Sequence, residues 1–542
     1  MAGSRRFKLA LARVGYGARL RAIERVSPKS QANRVEYPRG GLTEWYVNGP
    51  LGLEQGFTFK QRPAGSQEGP LTLALDLSGT LKPVLDGNTL ALSAPGGGAV
   101  LRYRGLTALD ARGRELPARL RLAGSTLKIE VDEGSAIYPL TIDPFIEQAK
   151  LTASDAAAGD SFGESVALSG NGKLAVIGAA LADCAAGEAC GAAYVFVRKG
   201  NKRVEQQKLT ASDGTAFDGF GEPVALSADG KTALIGANPS CAEGFNCGAA
   251  YVFVRKGLKW VEQQKLIGSD TTVNNLFGDA VALSADGKTA LIGAALANSA
   301  YVFVRQGGTW NEQQKLTASD GGTVFDDFGQ SVTLSADGKT ALIGAPGSIC
   351  ANGSFLCGTA YVFVQRVGDW VEEQRLTTSD AMPDGFGFGW SVALSRGGER
   401  ALIGSPDQDC VAVIESDCGA AYVFVRKHDG WVEEQKLMAS DATEGDDFGW
   451  SVALRGNVAL VGDRTADCPA GLGVGCGAAY VFVRQGTEWI ERQKLIASDA
   501  GAFVFGGAVA LSARGKSALV GARGTVCPDG SFNCGAAYVF RK

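Results

Sequence analysis

The chain has 542 residues, which are too many for one ordinary hydrophobic core, so two or more domains are expected. Its 53 basic and 57 acidic residues give a net charge of −4, and this balance provides no general attraction to nucleic acid or to membrane surfaces. The 75 glycines lack a collagen period and favour many tight turns between short strands, and no run of about 20 apolar residues could span a bilayer.

Residues 1–141 contain runs of alternating apolar and polar residues separated by turn residues. The alternation starts near Phe7, which predicts a strand almost at the first residue. No secretory signal peptide is evident there, and a truncated or misassigned start stays open. Further strands are predicted at Leu71–Leu77, Thr89–Leu92, Val100–Tyr103, Ala118–Leu122 and Leu127–Val131. We therefore predict an N-terminal β-rich, sandwich-like domain over residues 1–141.

Seven segments of residues 142–542 end in nearly the same Tyr-Val-Phe strand, 50 to 61 residues apart. Their tyrosines are Tyr194, Tyr251, Tyr301, Tyr361, Tyr422, Tyr480 and Tyr538. This period is longer than that of helical solenoids and suits a propeller blade of four strands, A to D. Asp-Gly turns between the first two strands are typical of hairpins. The chain is therefore predicted to be all-β, with a seven-bladed β-propeller over residues 142–542.

The two ends of the array predict how it closes. The last repeat stops at Lys542, after its third strand, whereas a strand resembling the fourth one precedes the first repeat at Phe145–Leu151. We expect this N-terminal D strand to complete the last blade beside the C-terminal A, B and C strands, because closure removes exposed sheet edges.

Phe328-Gly329 and Gly344-Ala345-Pro346 spell a motif that resembles the FG-GAP repeats of integrin α-subunit propellers and their bacterial relatives. The Phe-Gly half occurs seven times, at Phe162, Phe220, Phe277, Phe328, Phe388, Phe448 and Phe505. Residues 45–56 and 138–144 resemble a module that precedes such arrays in bacterial surface proteins. We expect the Phe side chains to fill the space between blades and the glycines to permit close backbone approach.

The resemblance implies Ca²⁺ binding in the D–A loops, but here each loop begins with Ser-Asp and often holds only one further acid. Ca²⁺ takes six to eight oxygens, so an Asx-type turn is the favoured interpretation and no cofactor is expected. The alternative Ca²⁺ ligands are Asp155, Asp160, Asp213, Asp218, Asp320, Asp326, Asp441 and Asp446.

All 12 cysteines lie in B–C loops, two per loop, and the third repeat has lost both its cysteines and most of this loop. The pairs are Cys184/Cys190, Cys241/Cys247, Cys350/Cys357, Cys410/Cys418, Cys468/Cys476 and Cys527/Cys534. The spacing never matches a zinc motif and no His is near, which favours six short-range disulfides over metal or free thiols. Disulfides in turn predict an extracellular or cell-surface location.

No catalytic constellation is found. The lone His428 lies in a predicted turn, and the repeated Gly-Lys-Thr turns lack the upstream glycine of a phosphate-binding loop. We therefore expect a monomeric, non-catalytic binding or adhesion module whose B–C and D–A loops contact a protein or glycan ligand, with a notch at the third blade. A purely structural segment of a larger surface protein is the alternative, and a glycan-active enzyme is the third interpretation.

Overall fold

The computed structural model describes two compact units, Met1–Ile146 and Glu147–Arg541. We predicted domains over residues 1–141 and 142–542. It describes the whole chain except residues 1–6, 32–33, 50–51, 66–67, 87–88, 94–98, 104–105, 107, 112–114, 143–145, 201, 240–246, 273–274, 321–325, 350–356, 381–386, 410–416, 468–474, 498–502, 528 and 542. Among the described residues the only helix is a 3₁₀ turn at Ala295–Ala297, and no helix there is long and apolar enough to cross a membrane.

The first unit contains three antiparallel sheets. Its strands are β1 Phe7–Tyr16, β2 Arg19–Ala22, β3 Lys29–Gln31, β4 Arg34–Arg39, β5 Leu42–Gly49, β6 Gly52–Phe59, β7 Leu71–Gly79, β8 Lys82–Asp86, β9 Thr89–Ser93, β10 Ala99–Tyr103, β11 Ala108–Leu109, β12 Glu115–Leu116, β13 Ala118–Ala123, β14 Thr126–Val131 and β15 Leu140–Ile142. The sheet orders are β13-β14-β7-β1-β2, β10-β9-β8 and β12-β11-β15-β6-β5-β4-β3. Alternate side chains of the first and third sheets share one apolar core, which includes Leu73, Ile129, Phe57 and Phe59.

The second unit consists of seven four-stranded antiparallel sheets, here called blades 1 to 7. The A strands are Val166–Leu168, Val224–Leu226, Phe277–Leu283, Ser331–Leu334, Ser391–Leu394, Ser451–Arg455 and Phe505–Leu511. The B strands are Leu174–Ala179, Thr232–Ala237, Thr289–Ala294, Thr340–Ala345, Arg400–Ser405, Val458–Asp463 and Ser517–Ala522. The C strands are Ala192–Lys199, Ala249–Lys256, Ser299–Gln306, Thr359–Arg366, Ala420–Lys427, Ala478–Gln485 and Ala536–Arg541. The D strands of blades 1 to 6 are Lys202–Leu209, Lys259–Leu266, Thr309–Leu316, Asp369–Leu376, Gly430–Leu437 and Glu488–Leu495.

The sheet of blade 7 takes its D strand from the other end of the array. Ile146–Leu151 lies beside the C-terminal strand Ala536–Arg541 in this sheet. The A strands of successive blades lie against one another, and those of blades 1 and 7 are also in contact. Backbone hydrogen bonds accompany these contacts, from Gly170 N–H to Ala228 O at 2.9 Å and from Ala513 N–H to Gly170 O at 3.0 Å.

The phenylalanine of each Phe-Gly pair is buried between two blades. Phe220 shares one buried apolar cluster with Leu174 and Val195 of blade 1 and with Tyr251 and Phe253 of blade 2. Its ring meets the Tyr251 ring edge-on at a centroid distance of 5.5 Å, a geometry that aromatic quadrupoles favour. All seven of these phenylalanines are at most 1% exposed. Their burial between blades agrees with the packing role expected from the sequence.

The glycines of the motif bring the backbones of adjacent blades into contact. A Cβ on Gly178, in the B strand of blade 1, would lie 1.9 Å from the carbonyl oxygen of Gly221, which follows Phe220. The same oxygen accepts a hydrogen bond from Ser165 Oγ at 2.7 Å. At the junction of blades 7 and 1, a Cβ on Gly521 would lie 2.0 Å from Gly163 O. Only a residue without a side chain fits so close an approach.

Candidate functional site

Because the strands of each blade are antiparallel, the B–C and D–A loops emerge on one side, here called the loop face. The A–B and C–D turns emerge on the opposite side, here called the turn face. The predicted site residues, namely the cysteines and the Ser-Asp loops, lie on the loop face.

In the six D–A loops whose first aspartate the structure describes, this aspartate forms a latch with the following blade, that is, a set of polar contacts that joins the two blades. Asp155 accepts hydrogen bonds from Tyr194 Oη at 2.8 Å and from Lys208 Nζ at 2.7 Å. Burial opposes ionisation of this carboxyl, but its bonds to Lys208 and Tyr194 outweigh that effect and lower its pKa. The equivalent latches are Asp213–Tyr251–Lys265, Asp270–Tyr301–Lys315, Asp320–Tyr361–Arg375, Asp380–Tyr422–Lys436 and Asp441–Tyr480–Lys494.

The serine before each of these aspartates also binds the following blade. Ser154 donates through its backbone N–H at 2.9 Å and through Oγ at 2.8 Å to the carboxylate of Glu205, which lies on the D strand of blade 1. The arrangement repeats for Ser212 with Glu262 and for Ser440 with Glu491. The repeated Ser-Asp dipeptide thus holds neighbouring blades together.

The second acid of these loops makes local turn contacts. Asp160, Asp218 and Asp446 each accept the backbone N–H of the residue three positions earlier, at 2.6 to 2.7 Å. Asp326 is buried and lines a cavity described below. Among the described residues no group of three His, Cys, Asp or Glu side chains is placed to hold a metal ion. Calcium binding by the eight aspartates stays a prediction.

Disulfides brace the B–C loops. Cys184 is bonded to Cys190, and Cys527 to Cys534, with Cα–Cα distances of 5.7 and 5.2 Å. Four further cysteines, Cys247, Cys357, Cys418 and Cys476, are also disulfide-bonded. Their predicted partners Cys241, Cys350, Cys410 and Cys468 lie outside the described residues. Two of the six predicted pairings are therefore observed.

The residue after each Phe-Gly lies at or near the start of the A strand, so in successive blades these side chains are neighbours on the inner edge of the loop face. Blades 1 to 3 place acids there, namely Glu164, Glu222 and Asp279. Glu222 remains solvent-accessible, but desolvation by the surrounding protein, and then the charges of Asp279 and Glu164, raise its pKa. This part of the inner edge is therefore acidic.

Blades 5 and 6 instead place Trp390 and Trp450 at the same position. The two half-buried rings are 4.6 Å apart between centroids. The Arg464 guanidinium lies 3.2 Å above the Trp450 ring and is paired with Asp447 at 2.6 Å. These contacts fix an aromatic platform, Trp390–Trp450–Arg464, on the inner edge of the loop face.

Behind this platform, Asp463 occupies the position of the alanine in Gly-Ala-Pro. The carboxyl is fully buried, and its Oδ1 accepts the backbone N–H groups of Asp447, Thr465 and Ala466 at 2.9 to 3.2 Å. Burial, followed by the charge of Asp446, raises its pKa to about 7 in spite of these hydrogen bonds. Its role here is to hold the loop that carries Arg464.

A cavity of about 230 Å³ lies at blade 3, where the B–C loop is reduced to the 3₁₀ turn Ala295–Ala297. Its polar lining includes Asn298, Lys315 and Asp326. The predicted notch and this cavity coincide in position.

Sequence reasoning missed the tryptophan platform and Asp463. The signal was available, because the residue after Phe-Gly changes from acid to Trp while its neighbours repeat. His428 is exposed in a C–D turn on the turn face, whereas these groups lie on the loop face.

Comparison with solved structures gave distant likenesses. The chain is 8% identical to "Structure of U3-55K" (TM-score 0.44) and 9% identical to "Crystal structure of RRP9 WD40 repeats" (TM-score 0.45). Both alignments cover 73% of this chain, and 98% and 99% of those chains. Hydrazine synthase of Kuenenia stuttgartiensis is 16% identical over 55% of this chain and 73% of that chain, with a TM-score of 0.37.

No curated protein sequence matches the chain. The FG-GAP repeat model matches it seven times, at residues 145–196, 204–253, 260–303, 310–363, 370–424, 431–482 and 489–540. Each match contains the Phe-Gly pair and the Tyr-Val-Phe strand whose packing is described above. The chain belongs to the FG-GAP repeat family.

Proposed function

We propose that the seven blades close into a ring and that the chain is an extracellular, non-catalytic binding module whose loop face takes a glycan ligand. The repeat propeller fold itself suggests a binding or scaffold module. Closure is supported by the contacts between blades 7 and 1, where Arg523 pairs with Glu164 at 2.7 Å and Phe162 N–H bonds Cys534 O at 3.3 Å.

The extracellular setting is supported by the disulfides. Small intra-loop disulfides persist in oxidising compartments and are rare in the cytosol. Each closes a short loop, so its main effect is to stiffen that loop. A stiffened loop loses less conformational entropy when it contacts a ligand.

The single observation that carries the choice of ligand is the Trp390–Trp450–Arg464 platform. Half-buried indole rings offer a rigid apolar surface that matches the apolar face of a sugar ring. On the same loop face, the carboxyl groups of Glu222 and Asp279 in blades 2 and 3 can accept hydrogen bonds from sugar hydroxyls. Because Arg464 is held by Asp447, the platform is preorganised before the ligand arrives.

The test is a glycan array probed with the full chain, followed by titration of the best glycan. We expect Trp390→Ala and Trp450→Ala each to weaken binding at least about tenfold, since stacking anchors dominate such sites. Phe532→Ala is the matched control, because Phe532 is also an aromatic residue of the loop face and is 65% exposed. It should bind as the unmodified chain does.

Absence of glycan binding, or equal loss in the tryptophan and control variants, would overturn the proposal and favour a structural scaffold. Glycan hydrolysis by the unmodified chain would instead indicate an enzyme. Unfolding midpoints of the three variants must match, so that lost binding is not lost folding.

A further inference from the structure

A second cavity, of about 630 Å³, lies on the opposite side of the second unit, at the turn face. Every blade contributes to its lining. Its apolar wall comes from leucines at the ends of the A strands, such as Leu226, Leu283 and Leu334. Its volume is in the range of small-molecule sites.

The charged residues of this lining are all cationic. They are Arg198, Arg396, Arg455, Arg514, Lys516 and Arg541. Within the described part of the chain, no Asp or Glu lines the cavity and none of these six cations forms an ion pair. Arg455 donates to the carbonyl oxygens of Leu394 and Leu454 at 3.3 and 2.8 Å, which leaves its charge uncompensated.

This charge is not a property of the repeat. In blades 2, 3 and 4 the corresponding A–B turns carry Asp229, Asp286 and Asp337, whose carboxylates accept the serine hydroxyl two residues earlier. In blades 2 and 3 the aspartate also lies 3.6 Å from its turn lysine. The A–B turns of blades 5, 6 and 7 lack this aspartate and each carry an arginine instead, at differing turn positions, namely Arg396, Arg455 and Arg514. Three adjacent blades have thus become basic on a common scaffold.

A further exception to the repeat lies beside the same cavity. Arg203 in blade 1 stands where the D strands of blades 2 to 6 have Trp260, Trp310, Trp370, Trp431 and Trp489. Its side chain donates to Gly172 O at 2.5 Å. Burial, and then the charges of Arg198 and Arg541, lower its pKa to about 10. Three guanidinium groups therefore repel one another here, and a bound anion would relieve this repulsion.

We propose that this turn-face cavity is a binding site for a small polyanion carrying several phosphate or sulfate groups. Arginine forks suit the tetrahedral oxyanions of both groups. The cations of the A–B turns and those at the ends of the C strands offer separate contacts, which favours a ligand with at least two anionic groups. The leucine wall accommodates the less polar body between them.

The test is calorimetric titration of the full chain at low ionic strength with two probes, inorganic tripolyphosphate and a trisulfated heparin disaccharide. We expect at least one probe to bind. The probe that binds more tightly shows whether the site prefers phosphate or sulfate groups. The double variant Arg514→Gln/Lys516→Gln changes exposed side chains and should weaken binding about tenfold. The matched control Lys231→Gln/Lys288→Gln removes two lysines of the same turn type from blades 2 and 3, outside the cavity lining, and should change affinity less than twofold.

The proposal fails if neither probe binds, or if both double variants weaken binding equally, since equal loss indicates diffuse attraction to net charge. Binding should also decrease with added salt, because the contacts are ionic. The site lies on the turn face, so its result is independent of the glycan test on the loop face.

Discussion

Replacing Gly344 by Ala tests whether the Gly-Ala-Pro glycine is required for contact between blades. Gly344 lies in the B strand of blade 4. A Cβ there would be 1.9 Å from the carbonyl oxygen of Gly389 in the next blade and 2.4 Å from Ser331 Oγ. Real Cβ contacts begin near 3.0 Å, so the backbones of the two blades must separate by about 1 Å or more.

The expected cost has two parts. Forcing an extra methyl group into a well-packed contact costs about 1–3 kcal/mol. The separation also breaks the hydrogen bond from Ser331 Oγ to Gly389 O, now 2.7 Å long, which contributes about 1 kcal/mol. We therefore expect the free energy of unfolding to fall by about 2–4 kcal/mol.

Equilibrium urea unfolding followed by tryptophan fluorescence measures this change. Gly214→Ala is the control, because its nearest neighbour atom would be 3.4 Å from the new Cβ and its backbone is not left-handed. The control should stay within about 0.5 kcal/mol of the unmodified chain. If Gly344→Ala is equally stable, the close-approach explanation of the motif is wrong.

Three further predictions concern the latch, the buried carboxyl and the cysteines. Asp213→Ala should lower stability by about 1–2 kcal/mol equally in Ca²⁺ and in chelator, because its carboxylate holds Tyr251 and Lys265; thermal unfolding measures this. The pKa of Asp463 is raised from 3.8 to about 7, so its contribution to stability is present below pH 3.8 and is lost as the pH rises through 7. In the unmodified chain the free energy of unfolding should therefore fall by about 4 kcal/mol across that window, and Asp463→Asn should remove this fall; urea unfolding at several pH values measures it. Thiol titration of the denatured, unreduced chain should find none of the 12 cysteines free.

Each of these predictions has a clear contrary result. A calcium-dependent rise in the unfolding midpoint that Asp213→Ala abolishes would show that the loop binds metal rather than acting only as a latch. An unchanged pH profile in Asp463→Asn, with Asp229→Asn as the exposed control, would place the titrating group elsewhere. Twelve reactive thiols would contradict the disulfides and the extracellular setting.

Much of the fold could be predicted because the same pattern of strands and turns occurs seven times in the sequence. Alternation at period two defines the strands, and the Asp-Gly turns define the hairpins, so predictions such as Leu71–Leu77 differ from the observed Leu71–Gly79 only at the end. The burial of the Phe-Gly aromatics followed from the same regularity. The acids of the D–A loops were predicted as turn residues. Their bonds to Tyr and Lys side chains were not predicted, because those side chains come from the following blade.

The sequence by itself determined the family, the seven four-stranded blades and the positions of the cysteine-bearing loops, because these depend on local patterns and on their repetition. Only the tertiary structure decided which of the residues that depart from the repeat lie close together. Trp390 and Trp450 are 60 residues apart in the chain, and Arg198 and Arg541 are separated by nearly the whole array. The tryptophans meet because equivalent positions in successive blades become neighbours when sheets pack side by side, and the arginines meet because blade 7 packs against blade 1; no local pattern encodes either relation.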